Sequence, residues 1–316
     1  MRRTIGTVLF GLGGLLLAMA VLALVWAPGV VKKTPLDVDT TTLYEGQAAK
    51  LDPATGAFDT KAAYAIRHTK ADSDKSDDNT VLMVETACAV FDTGGAKECV
   101  NGNDPDLITA SIDIFATDRV SAQAVDSKNL PPDAVDHQGL INKFPFDVEK
   151  KTYPFWDGDV GKAVDIDYKG TKDLFGLTTY EFQYHVTDVP ILIAPDDPAT
   201  PAEDSIPGIY ENTVTVYVDP KTGSIVKSGQ HQLQNLEDGT PAADVTLTQT
   251  DASVKDAVDE AKTAGTALTV LLTVLPIVGF AGGILCLLGG LALVMREGRQ
   301  DGGQPVQEKE KVGAGA

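Results

Sequence analysis

Hydrophobic positions along the chain fall into two long unbroken runs and, between them, a series of short alternating ones. No charged residue occurs between Lys262 and Arg296. A helix crossing the roughly 30 Å hydrocarbon core of a bilayer needs only about 20 apolar residues. The pattern therefore predicts a transmembrane helix over 265–295, kinked at Pro276. The other run extends from Ile5 to Trp26 behind Arg2 and Arg3. It exceeds the apolar centre of about 7–15 residues found in a secretory signal. Val25-Trp26-Ala27 offers a cleavage-like triplet, but Pro28 would follow the cut. An uncleaved helix over 5–27, ended by Pro28-Gly29, fits better. Gly14 with Ala18, and Gly279 with Gly283, have the four-residue spacing of small residues that suits close helix packing.

The stretch 34–250 reads as one β-rich domain. Residues 34–80 are mostly polar, and 71–79 form an acidic loop without the spaced ligands and central glycine of an EF-hand. From Thr80 the chain takes on strand character. Val81–Val84 and Ala87–Phe91 form one piece, and Leu107–Thr117 the next, with Ile108, Ala110, Ile112 and Ile114 on one face and Ser111 and Asp113 on the other. Pro131-Pro132 breaks the run. Over Thr178–Val189, Tyr180, Phe182, Tyr184 and Val186 alternate with Glu181, Gln183 and His185. Val214, Val216 and Val218 alternate likewise, then Asp219-Pro220-Lys221-Thr222-Gly223 makes a tight turn into a partner strand at 224–234. Asp244–Gln249 is a further strand.

No helix of ordinary length separates these strands, so the sheet should be mainly antiparallel: a curved sheet, half-barrel or sandwich. The fold class expected is a membrane-anchored α+β protein, with terminal transmembrane helices flanking an antiparallel extracytoplasmic domain. Residues 251–264 predict a helix capped by Asp251, with Val254, Val258 and Ala261 on one stripe. The five prolines of 190–207 predict an excursion from the sheet, with Ile191-Leu192-Ile193 packed on the domain, over a cavity or against lipid. The tail, 296–316, is polar and Gly-rich and reads as disordered.

Charge sharpens the topology. Residues 34–262 hold 41 Asp and Glu against 18 Lys and Arg, a net of −23 within the chain's −19. Such a block repels phosphate backbones and argues against nucleic acid as a partner. Arg2 and Arg3 precede the first apolar run, and Arg296 and Arg299 follow the second, although Lys32 and Lys33 weaken the bias. Positive residues mark the cytoplasmic side. The expected arrangement is two-pass in the plasma membrane, with residues 1–4 and 296–316 cytoplasmic and the acidic domain outside. Cys88 and Cys99 flank a turn at 91–95, and a disulfide between them suits that compartment; Cys286 lies in the second apolar run as a packing residue.

No catalytic pattern emerges: no Gly-x-Ser-x-Gly elbow, His-Glu-x-x-His, phosphate loop or dinucleotide fingerprint. His68, His137, His185 and His231 have no ligand spacing, and the acid pair Asp165 and Asp167 is unremarkable in so acidic a chain. No enzyme, metal or cofactor is indicated. The richest stretch is 143–157, where Phe144, Phe146, Tyr153, Phe155 and Trp156 gather beside Lys150 and Lys151. These rings suit either an apolar ligand wall with lysines near a polar head group, or the core of a β-domain.

Phe144-Pro145-Phe146, Glu149-Lys150-Lys151, Tyr153-Pro154-Phe155-Trp156-Asp157, Tyr168-Lys169-Gly170, Gly176–Tyr180 and the hairpin at 210–228 together resemble an actinobacterial family with two membrane helices around one outer domain. It is catalogued as of unknown function and sometimes labelled porin PorA. The family occurs in bacteria with a mycolate outer layer, and some relatives are linked to trafficking of trehalose mycolates beside the large lipid exporter. The resemblance implies a non-enzymatic envelope protein whose outer domain binds a lipid or mycolate-type glycolipid, or docks on the exporter or another assembly partner. The alternatives are a subunit of an oligomeric channel and a structural scaffold.

Overall fold

The structure, a computed structural model, describes residues 2–102, 104–193 and 205–298. Its elements in chain order are α1 (Arg2–Val25), α2 (Ala27–Val31), β1 (Asp39–Lys50), β2 (Lys61–Asp72), β3 (Thr80–Phe91), β4 (Leu107–Asp118), β5 (Tyr153–Asp157), β6 (Lys162–Leu174), β7 (Leu177–Ile193), β8 (Ile206–Val218), β9 (Ile225–Leu236), β10 (Pro241–Gln249), α3 (Asp251–Thr269), a π-helical turn (Val270–Val274) and α4 (Leu275–Gly298). The chain divides into two units. One holds the segments up to Val31 and from Thr266, the other Lys32–Gly265.

Thr4–Val25 and the run Asp251–Met295 each contain a stretch long and apolar enough to cross a membrane. α1 packs along α4 through glycines seven apart. A Cβ on Gly13 would lie 2.9 Å from the Gly283 carbonyl, and one on Gly290 would lie 2.9 Å from that of Gly6. Backbones this close exclude any larger side chain. Gly279 and Gly283 belong to this contact, but Gly14 faces open space, so the Gly14/Ala18 pair is not the contact face. The break after α1 falls at Trp26 rather than at Pro28-Gly29, because a proline ring clashes with the carbonyl four residues earlier. Pro276 acts in the same way, and the π turn just before it accommodates the lost hydrogen bond.

The other unit is one ten-stranded sheet in the order β4-β3-β2-β1-β10-β9-β8-β7-β6-β5. Every pairing is antiparallel, and each joins consecutive strands except β1 with β10. That ladder runs from Tyr44↔Gln249 to Lys50↔Ala243. The two free edges are then linked by single-residue bridges, Thr117↔Ala124, Gln123↔Leu140 and Leu140↔Phe155. The sheet thus curls into a barrel whose seam lies between β4 and β5, and the sandwich alternative is excluded.

Register fixes what faces inward. Tyr44, Ala63, Ala65 and Ala89 fall on the same face as Val245 and Leu247, and through β9 on the face of Val214, Val216, Phe182 and Ile166. These residues build the interior clusters. On β7 the aromatic side of the alternation is the inner one. On β4 the expectation inverts: Ser111, Asp113 and Phe115 share the inner register, while Ile112 is 74% exposed. β1 and β2 lie in the region read as polar and strandless. Their inner face is Ala, Gly, Tyr, Arg and Thr, so no apolar period marks them. The excursion at 190–207 is also corrected. β7 continues through Pro190 to Ile193, and β8 begins at Ile206. Both prolines are tolerated because β6 stops pairing with β7 at Gln183 and β9 reaches β8 only from Gly208, which leaves one neighbour at each. Residues 194–204 and the tail 299–316 lie outside the described residues.

α3 follows β10 and lays Val254, Val258 and Ala261 on Val226, Leu174 and Tyr217. Thr250, not Asp251, is its cap: the Thr250 hydroxyl accepts the Ser253 N–H at 3.3 Å, and Asp251 supplies first-turn charge. Outside β2 and β3, Val100 of the segment 92–102 packs on the cluster of Tyr64, Val90 and Ile66. The Cys88–Cys99 disulfide holds it (Cα–Cα 5.9 Å), and the Tyr64 hydroxyl donates to the Glu98 carbonyl at 2.7 Å.

One side chain bridges the seam. His137 packs between Phe115 of β4 (5.6 Å) and Trp156 of β5 (4.7 Å), and its side chain is 4% exposed. Nε2 meets Asp113 at 2.9 Å and Nδ1 the Val135 carbonyl at 2.8 Å. Two acceptors favour the doubly protonated ring. Burial opposes the charge, but Asp113 prevails and the His137 pKa is raised above 6.5. A raised folded value means this stabilisation is complete below pH 6.5 and fades as pH rises through the folded pKa. His137→Gln should therefore flatten the loss of stability across that range in denaturant titrations at several pH values. The Cys88→Ser/Cys99→Ser variant should lose about 3 kcal/mol, the chain-entropy value for so short a loop, measured the same way.

Candidate functional site

The aromatic stretch forms a floor, not a wall. Phe144 is fully buried, with Phe182 at 4.7 Å, Tyr153 at 5.3 Å and Phe155 at 6.0 Å between ring centroids. Leu140, Val148 and Ile166 complete the cluster. These rings contact one another and fill one end of the barrel. Trp156 turns to His137 at the seam, and Phe146 lies half-buried beneath the Lys143 ammonium at 3.9 Å. Lys150 stands over Tyr168 and Tyr180, and Lys151 pairs with Glu149 at 2.6 Å.

Lys143 fastens this floor to the β8–β9 hairpin. Its Nζ donates to the carbonyls of Thr222 (2.6 Å) and Phe144 (3.1 Å), while the Phe144 and Val148 N–H groups donate to Gly223 and Pro220. Gly223 has φ +77°, and any Cβ there would strike the Phe144 carbonyl. Burial pushes the Lys143 ammonium down to about 7, against the opposing charge of Asp219.

Above the floor the interior turns polar. Arg67 Nε meets Glu85 at 3.3 Å, Thr69 donates to the same carboxylate at 2.8 Å, and the Arg67 guanidinium stands over the Tyr44 ring at 5.5 Å. Tyr44 and Ser228 hydroxyls meet at 3.0 Å. Tyr44 and then Glu85 push the Arg67 pKa up, and Tyr184 adds to them. Tyr184 lies on β7, five places along the ten-strand order from β2, so the interaction crosses the barrel. Yet the Arg67 side chain remains 44% accessible, so the enclosed space admits solvent. Gln230 and Gln232 pair with Val214 and Asn212 on one side and with Leu247 and Val245 on the other, which puts them on the inner face, followed by Gln234. These three amides make no hydrogen bond among the described residues.

At the upper edge of the floor, Asp157 accepts from the Tyr184 hydroxyl (2.8 Å) and the Tyr210 hydroxyl (3.2 Å), and Asn212 Nδ2 donates to Tyr210 at 2.8 Å. Burial and the neighbouring Asp157 charge push Asp159 up to about 6, with a weaker opposing bond from Tyr210. The histidines join neighbouring strands singly: His68 to Asp39, His231 to Asp244 and His185 to Thr213. No group of three His, Cys, Asp or Glu that could hold a metal occurs among the described residues. Asp165 and Asp167 are exposed, Asp167 being held by Thr152 and Lys169.

The sequence profile of the Porin PorA family matches residues 5–292. The chain belongs to that family. A curated member, Porin PorA of Corynebacterium amycolatum, is 24% identical over 223 residues, which span 58% of this chain and 57% of that protein.

Within this family member, sequence reasoning found the floor but not the polar interior. Arg67 and Glu85 come from strands far apart in the chain and meet only through the β2–β3 register. One legible trace existed: Gln230, Gln232 and Gln234 alternate as strictly as the valines of β8, a polar period of two. The clamp yields a stability prediction. Lys143→Met leaves the Thr222 carbonyl unpaired and should cost about 1–3 kcal/mol, read as a lowered Tm with the far-ultraviolet spectrum unchanged.

Proposed function

We propose that this protein is a non-enzymatic component of the cell envelope, held in the plasma membrane by its two apolar helical runs, with its barrel on the extracytoplasmic side. The barrel's task is to hold the polar head group of an envelope lipid of the glycolipid class. The distribution of flanking Arg residues and the disulfide support that orientation. The observation that carries the binding reading is the solvent-admitting interior lined by the Arg67–Glu85 pair and the open amides of Gln230, Gln232 and Gln234. Amides bond hydroxyl-rich groups without imposing charge, and the fork of the Arg67 guanidinium adds donors while Glu85 balances its charge. The packed rings of the floor leave the acyl portion no place among them, so the head group is the part that enters. Mycolate-type glycolipids, implied by the family resemblance, have such a head.

The family's name favours a second reading, a channel. A barrel that lies in a bilayer needs an outward apolar band. Here the outer register of β7, β8 and β10 carries Glu181, His185, Glu211, Thr213, Thr246 and Thr248. The barrel wall itself therefore does not suit lipid, and a pore would need several copies of the helical unit.

Organic extraction and mass spectrometry of the detergent-purified full chain should recover a glycolipid, and the Gln230→Leu/Gln232→Leu variant should recover several-fold less at equal folded protein. Extracts that match an unrelated membrane protein would sink the binding reading. Unitary conductance steps in planar bilayers, absent from a preparation lacking α1, would establish the channel in its place.

A further inference from the structure

The chain enters and leaves the barrel domain at the same end. Lys32 pairs with Asp147 in the floor segment, and the Asp147 N–H donates to the Lys221 carbonyl (3.2 Å) in the β8–β9 turn. The Lys221 ammonium in turn reaches the Gly265 carbonyl of α3 at 3.4 Å. Two loops hold the entering and leaving segments, and each carries an exposed apolar side chain. After β4, the Arg119 carbonyl accepts the Thr34 N–H at 2.7 Å, and Arg119 Nε donates to the Thr34 carbonyl at 2.8 Å. Next to Arg119, Val120 is 44% exposed. In the β6–β7 turn, the Phe175 carbonyl accepts Lys262 Nζ at 2.5 Å, and Phe175 is 50% exposed. Phe175 is also there against the preference of its own turn. Leu174 pairs with Leu177, so Phe175 and Gly176 form a two-residue hairpin loop, with φ +49° and +76°. Such loops favour Asn-Gly. A bulky ring at the first position is strained and here gains little burial in return, so it answers to something outside the domain.

We propose, on the reading that both apolar runs span the membrane, that Val120 and Phe175 dip into the boundary between head groups and acyl chains of that same bilayer. The chain's own course selects this occupant. Lys262, bonded to Phe175, is the last charged residue before a run that has none until Arg296. Lys32, two residues before Thr34, is the first charged residue after a run that has had none since Arg3. Both exposed side chains therefore stand where a charge-free run begins or ends. That level of a bilayer is the interfacial belt, which takes aromatic and apolar side chains with cations beside them. The cations are present: Lys33 and Arg119 at one loop, Lys262 at the other. The two loops are then a pair of feet on which the floor end of the barrel rests.

The test places single nitroxide labels on the full chain in vesicles of phosphatidylcholine and phosphatidylglycerol, in a Cys286→Ser background with the Cys88–Cys99 disulfide intact. Labels at Phe175→Cys and Val120→Cys should be relaxed by dissolved oxygen in preference to a water-soluble nickel complex. Their ratio of the two should be several-fold above that of Ile112→Cys, a side chain 74% exposed on the outer face of β4. Leu285→Cys, 69% exposed in α4, reports on the span itself. A Leu285 label in lipid, with both loop labels as aqueous as Ile112, would overturn the proposal and leave the membrane reading standing. An aqueous Leu285 label would remove both. Loop labels shielded from both reagents would mean a protein cover and would also overturn it. Phe175→Asn supplies the residue that the turn favours, so its Tm in detergent should equal or exceed that of the unaltered protein. A lower Tm would show that the ring serves the fold, against the proposal.

Discussion

The domain depends on one ladder of hydrogen bonds, that between β1 and β10. All other strand pairs form between neighbours in sequence. This pair alone joins the four-strand meander at the start of the domain to the six-strand meander at its end. Without it each meander would keep a bare edge, and the interior would not exist. The fit is close: any Cβ on Gly46 would collide with the Thr246 carbonyl. The second junction, at the β4–β5 seam, has only single-residue bridges and leans on side chains instead, with His137 wedged between Phe115 and Trp156.

Because the barrel is closed by backbone bonding, its interior need not be filled uniformly. Dry packing is concentrated at the Phe144 floor and in the smaller clusters around Val245, Leu247 and Phe115. The remainder can hold Arg67, Glu85 and the three glutamines without breaking the fold, since the sheet satisfies its own polar backbone. The division of labour is spatial. The floor and the Lys143 clamp set shape, and the polar half supplies the groups that recognise something else.

Much of this was legible in the chain, and the gaps have a common physical cause. Alternation reveals a strand when one face is dry and the other wet. β7 and the β8–β9 hairpin meet that condition and were readable, as were the α3 stripe and the cysteine pair. β1 and β2 line the interior with alanine, glycine and polar residues, while Leu43, Tyr64 and Ile66 lie on their outer face, so they carried no apolar period. On β4 the rule misled, because its inner face holds Ser111 and Asp113 while Ile112 and Ile114 look outward. The prolines at 190 and 207 were read as strand breakers, which they are only where a strand has neighbours on both sides. The interior site was invisible for a different reason: its members come from β1, β2, β3, β7 and β9, and only closure brings them together.

The β1–β10 ladder also sets a timetable for biosynthesis. Tyr44 leaves the ribosome long before Gln249, its partner, has been made. At about 5–20 residues per second the wait is roughly 10–40 s. During it, β1 offers an unpaired edge, the kind of template that recruits other chains. The nascent protein must pass through this exposed stage on the way to every finished barrel, which makes the growing chain, and not the mature one, the vulnerable form.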